Sequence, residues 1–184
     1  MSMALYMELV TLPETKQMDR QGEQQNGNST AMHTKETDKS ERTDELTGKL
    51  LDIWEASLRT THHFLAEPDI ERIRPQAETA LRTIETLVVA YCGTTPTGFI
   101  GIQNRKIEAL FVAPPHIGKG LGKQLISTAT DRYGAIYIDV NEQNRTAEAI
   151  YRHLGFETFG RDETDGEGNP FPILHMKLCG NLHK

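Results

Sequence analysis

Apolar residues recur along this chain in two rhythms, and the changes between them mark its elements. Beyond residue 43 the first rhythm is helical: Leu46, Leu50, Ile53, Trp54 and Leu58 share one face over about four turns, with Thr43 or Asp44 placed to cap the first. Pro68, at a first-turn position, announces a second helix continued by Ile70, Ile73, Ala77, Leu81 and Ile84. The stretch "RTTHHFLAE" connects the two. The period then drops to two: "TLVVAYC", the turn "GTTPTG" and "FIGIQ" predict a hairpin, and "KIEALFV" adds a third antiparallel strand.

After "HIGKGLGKQL" a helix is expected over residues 118–133, with Leu121, Leu125, Ile126 and Ala129 inward and Gly134 as its stop. The stretch "AIYIDV" reads as a strand and "RTAEAIYRHL" as a short helix ended by Gly155. "FETFGRD" and "FPILHMKL" form a closing hairpin around "DGEGNP". Residues 14–42 follow neither rhythm. They are almost all polar, with too little apolar surface to offset the entropy of ordering them, so residues 1–42 are expected to be a disordered extension or leader and residues 43–184 the domain. If the extension holds a first strand, "AMHTKET" and "ALYMELVTL" are the two places for it.

Composition narrows the function classes. A chain of 184 residues with 37% apolar content supports one core, and one domain is expected. A net charge of -6 argues against a nucleic-acid binder, which needs a basic stripe to neutralise phosphates. Cys92 and Cys179 lie far apart with no metal-ligand spacing around them, which suggests neither a disulfide framework nor a metal site and fits a reducing cytoplasm. No apolar run approaches the roughly 18 residues that span a bilayer, and no signal-peptide plan opens the chain, so no membrane role is expected.

The glycine loop carries the chemistry. A P-loop needs Ser or Thr after its final Gly-Lys to hold magnesium, and here Gln124 follows Gly122 and Lys123. A dinucleotide fold is the better competitor, because Asp139 lies about 20 residues past the loop where a ribose hydroxyl would sit. Against it, the glycines are spaced Gly118-x-Gly120-x-Gly122, and too little chain remains for a doubly wound sheet. What the loop shares with all such sites is a run of backbone N–H groups at a helix start, freed by glycine to approach an anion such as a pyrophosphate.

The stretch "ALFVAPPHIGKGLGKQLI" resembles the acyl-CoA loop of the GNAT N-acetyltransferase superfamily, and "NEQNRTAEAIYRHLGF" resembles its downstream Asn, helix, Tyr and Gly-Phe signature, in the family's order. The resemblance implies a three-layer α/β/α arrangement of the α+β class, with a mostly antiparallel twisted sheet and about four helices. It implies an acetyl-CoA-dependent transferase acting on a primary amine of a small molecule or protein, as monomer or homodimer. A catalytically silent acyl-CoA-binding module and a dinucleotide-binding protein are the alternatives.

Carried over residue by residue, the resemblance implies that Gly118, Gly120, Gly122 and Lys123 offer backbone N–H groups to the pyrophosphate, with Lys119 in the same loop and Leu121 turned to the core. Phe111 and Val112 would pair with the pantetheine arm, and the N–H of Leu110 would polarise the thioester carbonyl. Ile117 stands where the family usually has Arg or Gln. Tyr151 would protonate the departing thiolate, with a core aromatic as the competing reading, and Asn144 would contact the arm or order a water. For the base the candidates are Glu108, which alternation puts with Lys106 and Leu110 and opposite Ile107, Ala109 and Phe111, and then His62 or His63 in the inter-helix connection. A solvated glutamate competes with the first. Asn141, His153 and His175 rank below these.

Overall fold

The computed structural model describes residues 32–62 and 65–180. Helix α1 spans Asp44–Thr61 and α2 Glu67–Thr83. Thr43 caps α1 by accepting the Leu46 N–H at 3.2 Å, as a hydroxyl one residue before an amphipathic run should. Seven strands form one sheet: β1 (Met32–Glu36), β2 (Thr86–Cys92), β3 (Thr95–Gln103), β4 (Lys106–Val112), β5 (Tyr137–Asn141), β6 (Phe156–Asp162) and β7 (Ile173–Leu178), in the order β1-β2-β3-β4-β5-β7-β6. Helix α3 (Leu121–Tyr133) precedes β5 and α4 (Arg145–His153) follows it.

Two apolar layers sandwich the sheet. On one face α1 and α2 bury Trp54, Leu58, Ile73 and Leu81 against Leu87, Val89, Phe99, Ala109 and Phe111 of β2, β3 and β4. On the other, α3 and α4 bury Leu125, Ile126, Ala147 and Tyr151 against residues of strands from β2 to β7. The first helix pair therefore covers only the β2–β4 half of its face. The α1/α2-side face of β5, β7 and β6 lies beyond that core.

All pairings are antiparallel except that of β4 with β5. A doubly wound dinucleotide fold needs a run of parallel strands, so that alternative falls. The β4–β5 pairing itself is short: Lys106 opposes Tyr137, Ile107 opposes Ile138, and there it ends. The expected turn "GTTPTG" is shorter than its composition suggests. Only Gly93 and Thr94 turn, because a bulge at Thr97, whose hydroxyl donates to Ala90 O at 3.2 Å, lets Pro96 stay in β3.

The polar extension does not run unbroken to residue 42. Of the two places for a first strand, "AMHTKET" carries β1, which pairs with β2, while "ALYMELVTL" lies outside the described residues. The ordered unit thus takes in residues ahead of 43. Arg42, only 6% exposed, is what anchors this lead-in: its guanidinium donates to Leu81 O and Arg82 O at 3.3 Å and Ile84 O at 2.7 Å, and back to Thr37 O at 3.3 Å. One side chain thereby caps the last carbonyls of α2 and ties them to the end of β1. Among the described residues no helix is long and apolar enough to cross a membrane.

Replacing Arg42 with alanine leaves several buried carbonyls without a donor, so Arg42→Ala is expected to lower the unfolding free energy by about 3 kcal/mol. Urea denaturation should show a lower midpoint with an unchanged slope.

Candidate functional site

The site is built where β4 and β5 part. Beyond Ile107 no described strand pairs with β4 on the β5 side, while its other edge stays paired with β3 as far as Val112. The N–H of Ala113 donates to Thr97 O at 2.8 Å, so by alternation Phe111 and Ala109 also present their amides to β3. Leu110 and Val112 present theirs to the opening. Of the three strand residues expected to meet a ligand through backbone, two face the gap. Phe111 does not: its amide turns to Phe99 and its ring is buried 5.5 Å from that of Phe99 in the α1/α2 core.

The glycine loop sits at the end of this strand. Gly118 and Gly120 have φ of 78° and 82°, a left-handed conformation that side chains disfavour, and Gly120 is the N-cap of α3 without any side-chain cap. The first bond of the helix ladder is Gln124 N–H to Gly120 O at 3.0 Å, so the amides of Leu121, Gly122 and Lys123 precede the ladder. Gly122 lies within the helix and is buried; Leu121 is buried and Lys119 and Lys123 are exposed. Ile117 packs against the α3/α4 core, so its side chain is taken up in packing.

On the other side of the gap, β5 ends in Asn141, whose Oδ1 accepts the Gln143 N–H at 2.8 Å and whose carbonyl accepts the Asn144 N–H at 2.8 Å. Asn141 thus shapes the turn into α4. Asn144 caps that helix through Oδ1, which accepts the Ala147 N–H at 3.2 Å, while its buried Nδ2 has no hydrogen-bond partner among the described residues. Tyr151, fully buried one layer in, packs edge-on against Phe156 with ring centres 6.0 Å apart. An acyl-CoA arm fits this gap: strand amides on one wall, a donor-bearing amide on the other, and helix-start amides at the mouth.

Glu108 departs from simple alternation. Gly101 opposes Ala109 and Ile102 opposes Ile107, which leaves Glu108 as the extra residue of a bulge. The bulge puts Ile107 and Leu110 on the α3/α4 side and Ala109 and Phe111 on the other, so Glu108 shares Leu110's face less than Lys106's. Its Oε2 is buried without a hydrogen bond, 3.4 Å from Lys106 Nζ, while that ammonium lies 2.6 Å from Asp139 Oδ2. Burial pushes the Glu108 carboxyl above its usual range, and the Asp139 charge pushes the same way against the pull of Lys106.

Sequence reasoning named Asp139 only as a ribose-binding acid and ranked His175 low, and it did not bring the two together. Asp139 Oδ1 meets His175 Nδ1 at 2.8 Å, and His175 Nε2 meets Asp162 Oδ2 at 3.1 Å. Burial alone would lower His175, but the two aspartates outweigh it and the net shift is upward. Beside this row stand Tyr137 and Phe159, edge to face at 6.0 Å, with Phe159 the extra residue of a bulge in β6 and 65% exposed. The signal available was the alternation in "AIYIDV", where Asp139 interrupts Ile138 and Val140.

The remaining candidates are dispersed. His62 ends α1, buried, with Nδ1 3.1 Å from Thr61 Oγ1, in the layer opposite Tyr151. His63 lies outside the described residues. In the closing loop, Asp165 is buried and folds the turn by accepting the Glu167 and Asn169 N–H groups, and Glu167 latches to α2 through Arg72 at 2.7 Å and Gln76 at 2.8 Å. Asp162, at the end of β6 just before that loop, is the acid joined to the row of Asp139 and His175.

Residues 50–179 match the family model described as acetyltransferase (GNAT) domain. The chain is 32% identical over 128 residues to the peptidyl-lysine N-acetyltransferase YjaB of Salmonella typhimurium, covering 70% of this chain and 88% of that protein. The solution structure of apo-form YjaB from Escherichia coli is similar with a TM-score of 0.72 and 28% identity, covering 82% of this chain and 99% of that one. The structure of yncA from Salmonella typhimurium, solved with its cofactor acetyl-CoA, shares the fold at a TM-score of 0.55 and 18% identity, covering 82% and 96%.

A carboxyl whose pKa is higher folded than unfolded stabilises the fold below its unfolded value and loses that contribution as pH rises through the folded one. Ionised Glu108 therefore weakens the fold at neutral pH. Glu108→Gln is expected to raise the melting temperature at pH 7, with the gain disappearing in scans below the usual carboxylate range.

Proposed function

The chain belongs to the GNAT acetyltransferase family, acetyl-CoA-dependent N-acetyltransferases, and on that premise we propose that it acetylates the side-chain amine of protein lysines through the gap between β4 and β5. The observation that carries this reading is the parting of those strands beside a glycine-capped helix start, with Glu108 at the point of parting. The acceptor class is supported by the similarity to a peptidyl-lysine N-acetyltransferase and by the buried Glu108 carboxylate, which suits a cationic amine.

Acetyl-CoA supplies the activated acetyl thioester. The amides of Leu121, Gly122 and Lys123, presented by the left-handed Gly118 and Gly120, hold its pyrophosphate. Val112 pairs with the pantetheine arm through backbone and Asn144 Nδ2 donates to it, while the Leu110 N–H polarises the carbonyl. Glu108, raised by burial, takes the proton that the acceptor ammonium must lose to become a nucleophile. As the carbon–nitrogen bond forms and the carbon–sulfur bond breaks, Tyr151 gives a proton to the departing sulfur, and the second proton shed by the nitrogen passes to solvent, from which Tyr151 is reprotonated. His62 has no part in these steps.

Thiol release from acetyl-CoA, read over peptides that offer a lysine side chain or only an α-amine, is expected to be fast with the lysine peptide. Turnover confined to the α-amine peptide would remove the acceptor assignment. With the lysine peptide, Glu108→Gln should lower kcat about 100-fold without changing acetyl-CoA affinity. Gly120→Ala meets no atom within 4 Å, so its cost is backbone strain alone, and calorimetry should show acetyl-CoA affinity about tenfold weaker.

A further inference from the structure

A base on this strand faces a difficulty. Lys106 stands two residues from Glu108 on the same side of the sheet, and an ammonium within reach would pair with the carboxylate and make it a poor proton acceptor. The distances show how the ammonium is shared: 2.6 Å from Asp139 Oδ2, with a longer ion pair to Glu108 Oε2 at 3.4 Å. Asp139 is fixed for this task. Its second oxygen is held by His175 Nδ1 at 2.8 Å, and His175 is held from behind by Asp162 at 3.1 Å, so both carboxylate oxygens have dedicated partners on separate strands.

We propose that Asp139 is a positioning residue for acetyl transfer: by drawing the Lys106 ammonium to itself it leaves the Glu108 carboxylate with the longer, weaker ion pair and so available for the acceptor's proton. This rests on Glu108 being the base. The other groups facing Glu108 do not compete for the role. Across β3 its neighbours are Gly101 and Ile102, the buried faces of α1 and α2 are apolar apart from Thr47 and Ser57, and the titratable groups buried in that layer are His62 at the end of α1 and Arg42, which donates to carbonyls at the end of α2. On the β5 side the charges are Asp139 and, through it, His175 and Asp162.

The test is the pH profile of kcat/KM in the full-length protein with a lysine peptide, together with a 13C titration of the Glu108 carboxyl, assigned by its loss in Glu108→Gln. In Asp139→Asn, Lys106 is released to Glu108, and both the acid limb and the carboxyl titration are expected to move down by about one pH unit. In Lys106→Gln both should move up. On the Lys106→Gln background there is no ammonium to redirect, so adding Asp139→Asn should move them much less than it does alone. An equal shift on both backgrounds, or no shift in Asp139→Asn, overturns the proposal. Should Asp139→Asn not fold, Asp139→Ser takes its place on both backgrounds, and an equal shift or no shift there overturns the proposal. Full activity in Glu108→Gln would instead sink the base assignment itself, a result separable from either of these.

Discussion

The short parallel pairing of β4 and β5 is the constraint on which the rest of the molecule turns. Two residues of each strand are paired, and then the strands separate while β4 remains bonded to β3 and β5 to β7. Leu110 and Val112 are buried, so their amides facing the gap sit away from bulk water with no strand opposite. A buried amide without a partner costs about 1–3 kcal/mol. In the proposed site, a ligand that accepts along the strand would recover that cost on binding.

The bulge at Glu108 belongs to the same constraint. Continued alternation would have placed Ile107 with Ala109 and Phe111; the extra residue returns Ile107 to the α3/α4 core and brings the Glu108 carboxylate level with Lys106 and Asp139 at the point of parting. Bulges re-aim side chains, and here the re-aimed one is a carboxylate that burial makes more basic. Its neighbours are arranged by the other consequence of the architecture. Since α1 and α2 cover only β2, β3 and β4, period-two strands β5 and β7 bury Ile138, Val140, Leu174 and Met176 on one face and turn Tyr137, Asp139, His175 and Lys177 to the other.

What could be read in the chain was what is local to it. The helices, the hairpins and the glycine loop are specified by residues within a few positions of one another, and the capping by Thr43 and the left-handed glycines behave as their types require. Errors arose where distant segments decide. Arg42 sits in a polar run, and only the end of α2, some forty positions away, makes it an anchor. Alternation failed at Glu108 because the bulge is a property of the β3–β4 register. The Asp139–His175–Asp162 row, drawn from three strands, has no contiguous signature at all. The glycine-capped helix start was therefore legible, and the side-chain cluster drawn from three strands was not.

Ile117 brings the two kinds of information together. In a loop that resembles an acyl-CoA cradle it stands in place of a longer polar side chain, and the structure spends it on packing against the α3/α4 core. In the proposed cradle, directed hydrogen bonds to the pyrophosphate then come from amides, with Lys119 and Lys123, both exposed, adding charge without a fixed geometry. A grip made of amides depends on backbone shape, and that shape depends on two residues in the left-handed region. The apolar Ile117 serves that dependence: by tying the loop to the core immediately before Gly118, it limits how far the amides can drift from the positions the glycines set.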